Sequence, residues 1–173
     1  MYMPLENANF DPIIVLVLLK DKDSQYSLIA KNEKGFFPSE GKAYEEVLET
    51  IVDKDSITIK NNTLRIYTFF EGVRDMSSTE YVFRYQNNRF ELIGLDAQNI
   101  SGDTEYVDTT NYSLNLSTKK LIIHNMSEKL ESNVKKEEKI EKNLNITEIY
   151  ALDTMSETSG VDILDKYVHE IKK

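Results

Sequence analysis

Tyr81-Val-Phe-Arg-Tyr-Gln-Asn-Asn-Arg-Phe-Glu-Leu-Ile-Gly94 reads as two alternating runs on either side of Asn87-Asn88. A two-residue hairpin loop needs positive φ at its central positions, and asparagine accepts that conformation better than other non-glycine residues. With these two as the loop, Gln86 faces Arg89, Tyr85 faces Phe90, Arg84 faces Glu91 and Phe83 faces Leu92. Side chains alternate across a strand. Phe83, Tyr85, Phe90 and Leu92 are therefore expected on a buried face. Arg84, Gln86, Arg89 and Glu91 are expected on a solvated one, with an Arg84–Glu91 cross-strand pair. A slip of one residue would expose every aromatic, so the register is strongly specified.

The same grammar recurs on both sides. Ile57, Ile59, Leu64 and Ile66 alternate around Asn61-Asn62, which predicts a hairpin pairing Ile59 with Leu64 and Ile57 with Ile66. A third hairpin is expected from 112–116 and 120–123 around Thr118-Lys119. Upstream, Ile13-Ile-Val-Leu-Val-Leu-Leu19 is continuously apolar and β-branched, which suits a strand buried on both faces. A turn at 20–24 and a second strand at 26–30 follow it.

Phe83-Arg-Tyr-Gln-Asn-Asn-Arg-Phe-Glu-Leu-Ile-Gly94 resembles the Phe-Arg-Tyr-Gln-x-x-x-Phe-x-Leu-Ile-Gly signature of a group of uncharacterised bacterial cell-envelope proteins, many of them lipoproteins. The similarity covers about residues 10–124 and includes 57–66 and Asn115-Leu-Ser-Thr-Lys-Lys-Leu-Ile122. That last segment usually carries a Thr-Gly turn in the group; here Lys119 stands in place of the glycine. The resemblance implies a β-rich envelope module and no known activity, so it assigns no catalytic residue. The opening region of the group is similar to FG-GAP β-propeller blades, whose Asp-rich loop holds calcium. Glu6-Asn-Ala-Asn-Phe-Asp11 lacks the spaced aspartates, and no calcium site is expected.

Composition narrows the function classes. The chain has 173 residues, a net charge of −9 and a pI near 4.8. Phosphate binding needs a basic surface, so nucleic acid is not an expected partner. There is no cysteine and there are only two histidines, His124 and His169, which removes thiol chemistry and zinc sites built on His and Cys. The apolar run 13–19 is far shorter than the ~20 residues that span a bilayer. Glu6 and Asp11 precede it where a signal peptide would carry positive charge. An envelope protein would thus need an export signal that this chain does not show.

Further along, 32–41 reads as loop, and 43–52 as a short helix from the spacing of Ala43, Val47, Leu48, Ile51 and Val52. The stretches 71–79 and 96–110 read as long loops. The chain then changes character: from Glu128 to Lys142 it holds five Lys and five Glu, which predicts a polar helix or a linker over 125–143. A strand at 146–152 and a terminal helix at 161–171 should close the chain, the helix presenting Val161, Leu164, Val168 and Ile171 and capped by Ser159 or Asp162. The fold expected is mainly β, an antiparallel hairpin meander forming a sheet or sandwich with one or two short helices; α+β is the alternative. Residues 1–124 form the β-rich domain, and 125–173 the charged segment with a strand and helix packed on it.

No Gly-x-Ser-x-Gly, P-loop, Gly-x-Gly-x-x-Gly or His-Glu-x-x-His is present. Between Phe90 and Thr118 there is no Lys or Arg, whereas Glu91, Asp96, Asp103, Glu105 and Asp108 fall there. Their spacing matches no calcium loop, and an acidic solvated loop is the expected reading. No catalytic residue, metal or cofactor is assigned. The function expected is a non-enzymatic binding module of the cell envelope, with a protein or glycan partner. The alternatives are a glycan hydrolase using Asp/Glu pairs, or an acidic immunity protein blocking a basic toxin. In a meander the three tight turns lie at one end of the sheet and the long connections at the other. Partner contacts are expected at the long-loop end, at Arg74, Asp75, Met76, Asp96, Gln98, Asp103 and Tyr106.

Overall fold

The structure is a computed structural model that describes residues 14–35, 56–72, 74–132, 134–156 and 158–171. Two strands, β1 (Val15–Lys20) and β2 (Tyr26–Asn32), form an antiparallel ribbon. Seven more form one antiparallel sheet in sequence order: β3 (Ile57–Lys60), β4 (Thr63–Glu71), β5 (Asp75–Gln86), β6 (Arg89–Gly102), β7 (Tyr106–Asn115), β8 (Lys120–Lys129) and β9 (Val134–Asn143). A 3₁₀ turn (Leu152–Thr154) and one helix, α1 (Ser159–Ile171), follow. The expected helix at 43–52 and the lead-in at 1–11 lie outside the described residues.

The central hairpin takes the expected register throughout, from Gln86 opposite Arg89 to Phe83 opposite Leu92. Asn87 and Asn88 have φ of 52° and 60°, and Asn61 and Asn62 have 52° and 59°, the signature of type I′ turns. The 57–66 hairpin also pairs as expected. Just beyond Leu92 the pairing shifts: Val82 faces Gly94 while Phe83 faces Leu92, leaving Ile93 as a bulge. The bulge lets Leu92 and Leu95 share a face although they stand an odd number of positions, three, apart. One face of the sheet consequently carries Leu64, Ile66, Tyr81, Phe83, Phe90, Leu92, Leu95, Leu114, Leu121 and Ile123, all buried.

That face is covered by the ribbon, the 3₁₀ turn and α1, which supply Val15, Val17, Leu152, Met155, Ile163, Leu164 and Tyr167 to the same core. Two contacts lock the cover. The fully buried Asn32 amide donates to the carbonyls of Leu152 (2.5 Å) and Met155 (2.7 Å) and accepts from the Lys34 and Gly35 N–H groups. Every polar group of that buried side chain is thereby satisfied. At the start of α1, a Cβ on Gly160 would lie 2.4 Å from the Tyr81 hydroxyl. Only glycine lets the helix approach the sheet so closely. Burial pushes the Tyr81 pKa up to about 12, against the smaller opposing effect of the Gly160 backbone hydrogen bond.

Several expectations are corrected. The run at 13–19 is not buried on both faces: in β1, Val15 and Val17 are buried while Leu16, Leu18 and Leu19 are exposed. The stretches read as long loops are the far ends of long strands. β5 starts at Asp75, β6 runs to Gly102 and β7 starts at Tyr106, so the connections there are short. Ser, Thr, Asn and Asp in these ends fall on both faces, Ser78 and Asp96 on the open one and Ser77, Thr79 and Asn99 on the side that carries α1, and pairing with neighbouring strands overrides their weak strand propensity. The charged run at 125–143 is neither helix nor linker. β8 crosses position 124 and β9 extends the sheet in full register with it. The 146–152 segment makes only an isolated bridge, Ala151 to Glu91, before the 3₁₀ turn. The packed face of α1 is shifted from the expected one: Leu164 is buried and Val168 packs on the core as expected, but Val161 is exposed, and Ile163 and Tyr167 are buried. The Ser159 hydroxyl accepts from the Ser156 N–H, ahead of the helix, and Asp162 accepts from the Thr158 hydroxyl. Tyr85 is 42% exposed beside the Phe90 ring, and Glu91 is buried.

Two outcomes follow for stability. Phe83→Ala, at a fully buried site, should cost ~3–5 kcal/mol in chemical denaturation, while Tyr85→Ala should cost roughly 1 kcal/mol, the value of a half-exposed ring pair; equal losses would contradict this burial pattern. Lys119 has φ of 57°, a conformation that costs a β-carbon-bearing residue roughly 1 kcal/mol. Lys119→Gly should therefore raise the unfolding midpoint, and a lowered midpoint would show that the lysine side chain matters more than its backbone.

Candidate functional site

The sheet's second face has no covering layer among the described residues. Alternation places Arg65, Tyr67 and Phe69 of β4 there, beside Met76, Ser78 and Glu80 of β5 and Asp96, Gln98 and Ile100 of β6. Asn111 and Ser113 of β7 and Ile122, His124 and Met126 of β8 continue it. The register lines these up in rows across the strands. One row runs Tyr67, Glu80, Asp96, Ser113, Ile122; the next runs Phe69, Ser78, Gln98, Asn111, His124. Between them lies an open depression of about 440 Å³, lined by Tyr67, Ser78, Glu80, Asp96, Gln98, Asn111, Ser113, Ile122 and His124 among others.

Its electrostatics follow from the register. Glu80 and Asp96 are cross-strand neighbours, so two carboxylates face each other. Arg65 relieves the repulsion, its Nη1 lying 2.9 and 2.8 Å from the two Glu80 oxygens. Asp96 is exposed and makes no ion pair among the described residues. Gln98 donates to the Asn111 carbonyl oxygen at 2.8 Å, and His124 lies 3.5 Å from Glu137. The surface thus offers amides, hydroxyls, one free carboxylate and the half-exposed Tyr67 ring. It can hydrogen-bond an extended polar ligand in both senses while an aromatic face packs against it.

Of the residues expected at a partner surface, Met76, Asp96 and Gln98 lie on this face. Arg74, Asp75, Asp103 and Tyr106 lie at its far rim and are engaged in shaping turns. Asp103 accepts from the Glu105 and Tyr106 N–H groups at 2.7 and 2.8 Å, and those bonds hold its carboxyl below the usual range. The Arg74 carbonyl accepts from Gly102, and Lys129 sits 5.6 Å from the Tyr106 ring centroid.

Two polar clusters escaped sequence reasoning. At the hairpin tip, the buried Glu91 carboxylate accepts from Gln86 (2.5 Å), Asn87 (3.1 Å) and Arg89 (3.2 Å), not from Arg84. The Gln86 bond leads in holding its pKa down, followed by Asn87. Where the 144–150 segment meets α1, Glu148 accepts from Lys166 (2.6 Å) and from the Tyr167 hydroxyl (3.1 Å), which also lies 3.1 Å from that of Tyr150. The Lys166 bond is the main cause of a Glu148 pKa lowered to about 2, and burial raises that of Tyr167. The tip was legible in principle, since Gln86, Asn87, Arg89 and Glu91 crowd one turn. Glu148 and Lys166 are 18 residues apart with no pattern linking them.

Among the described residues no group of three or more His, Cys, Asp and Glu could hold a metal ion, and no helix is long and apolar enough to cross a membrane. No family model, curated protein or solved structure matches the chain.

The Glu91 cluster has a pH signature. Its folded pKa is depressed, so its contribution to stability is present above the unfolded value of about 4.3 and is lost as pH falls through the folded pKa. Between neutral pH and acid, the wild type should lose more stability than Glu91→Gln does. Parallel losses in denaturation titrations would remove Glu91 from the account.

Proposed function

We propose that this chain is a non-enzymatic binding module of the bacterial cell envelope that lays a polar partner, a glycan strand or a peptide, along the open sheet face. The observation that carries the reading is the depression around Asp96 and Gln98: shallow, polar and aromatic, on a sheet whose opposite face packs the hydrophobic core. The envelope assignment rests on the resemblance of the Phe83–Gly94 stretch.

One observation favours a second reading, a glycan hydrolase. Glu80 and Asp96 face each other across β5 and β6, and paired carboxyls are what glycoside hydrolysis requires. Such an enzyme needs one carboxyl kept protonated as an acid. Arg65 is ion-paired to Glu80 at 2.8 Å, and every described carboxyl with a displaced pKa is displaced downward. These facts support the binder.

The test is retention of envelope glycan and protein fractions on immobilised chain. The double variant Tyr67→Ala/Asp96→Ala should weaken retention about tenfold or more, as loss of central contacts does. Arg74→Ala/Tyr106→Ala, at the rim, should leave it unchanged. The reverse pattern would move the surface to the rim, and release of reducing sugar that stops with Asp96→Asn would establish the hydrolase instead.

A further inference from the structure

We propose that β9 is a dimerisation edge, on which a second copy of this chain pairs its own β9 antiparallel, with Ile140 facing Ile140. β9 is the last strand of the sheet, and all its side chains are exposed except that of Ile140, which is half-buried. It offers ten residues of edge, against four at the opposite edge, β3. A free strand edge is a template for another strand. Natural edges discourage pairing with charges, and β9 is densely charged. What matters is whether the charges reject every partner or only the wrong ones.

The register decides. Two copies related by a two-fold axis normal to the sheet must oppose residues of the same face. With the axis at Ile140, Lys139 meets the second copy's Glu141 on the open face, and Glu138 meets its Lys142 on the core side, each pair occurring twice by symmetry. Every charged residue from 138 to 142 then faces its opposite, with an apolar pair at the centre. Moving the axis to Lys139 sets Lys139 against itself and Glu137 against Glu141. Moving it to Glu138 keeps opposite charges paired on the open face, Glu137 with Lys139 and Lys135 with Glu141, but on the core side it sets Glu138 against itself and Ile140 against Lys136. Of these three registers only the one centred on Ile140 is complementary on both faces, and charge patterning of this kind selects one pairing. Contacts within the sheet extend the pattern: Glu141 already binds Lys120 at 2.5 Å, so the second copy's Lys139 would complete an alternating row. In a chain of net charge −9, β9 itself holds four Lys and three Glu, so two copies meet there without the repulsion that the chain's acidic excess would otherwise impose.

Sedimentation analysis of the whole chain, taken to ~1 mM to include weak association, provides the test. The wild type should form a concentration-dependent dimer. Lys139→Glu and Glu141→Lys should each weaken it at least tenfold, because each sets like charges opposite one another. An equimolar mixture of the two variants should recover a heterodimer, since one chain then carries acid at both positions and the other base. The Glu138-centred register would not show this recovery. A wild type that stays monomeric, single variants that dimerise like the wild type, or a mixture that stays dissociated would each overturn the proposal.

Discussion

An antiparallel sheet with one apolar face must find something to lay against it, and this chain has no second sheet of comparable size among its described residues. The demand falls on a composite cover: a two-stranded ribbon, one 3₁₀ turn and one helix, none large enough to bury the face alone. The Asn32 side chain joins them by bridging β2 to the carbonyls of Leu152 and Met155. A buried amide left unsatisfied costs more than a satisfied one contributes, so this joint tolerates only the right docking of ribbon on turn. The Gly160–Tyr81 contact sets the third member at its distance. With that face covered, the other has no covering layer among the described residues.

The hairpins could be read from the sequence because they are local. Paired asparagines, alternating side chains and opposed aromatics all lie within a dozen residues, and each agrees with the others. The ends of β5, β6 and β7 could not, because their polar residues satisfy loop and solvent-face patterns equally well. Only a neighbouring strand decides between them. β9 was misread for a related reason. Lys and Glu repeated without apolar spacing suit a helix by propensity, yet β8 supplies ten register partners and the edge position keeps the charges in water. The face of α1 was partly legible: Leu164 and Val168 pack on the core as their spacing implies, whereas Tyr167 is buried there because Glu148 and Tyr150, remote in sequence, take its hydroxyl.

The candidate site was half legible. Asp96 and Gln98 stood out in a stretch empty of positive charge, and Met76 lies on the same face. Tyr67, Glu80, Asn111 and His124 come from strands far apart in sequence and meet only through the register. Arg65 turns what would be a repulsive pair of carboxylates into one neutralised and one free acceptor. That asymmetry is the feature on which a polar ligand would orient.

The chain's wiring also shapes how it can be taken apart. Each strand of the large sheet pairs with its immediate successor, so the sheet can assemble by adding hairpins, which requires little loop closure. The Asn32 joint is the reverse case, linking positions 120 residues apart, and such distant contacts form after the local ones have reduced the loop to be closed. The cover is therefore expected to dock onto a sheet that is already largely built. Damage at the joint should accelerate unfolding and leave the refolding rate nearly untouched. The folded lifetime should then be sensitive to Asn32, and the refolding rate to the hairpin turns.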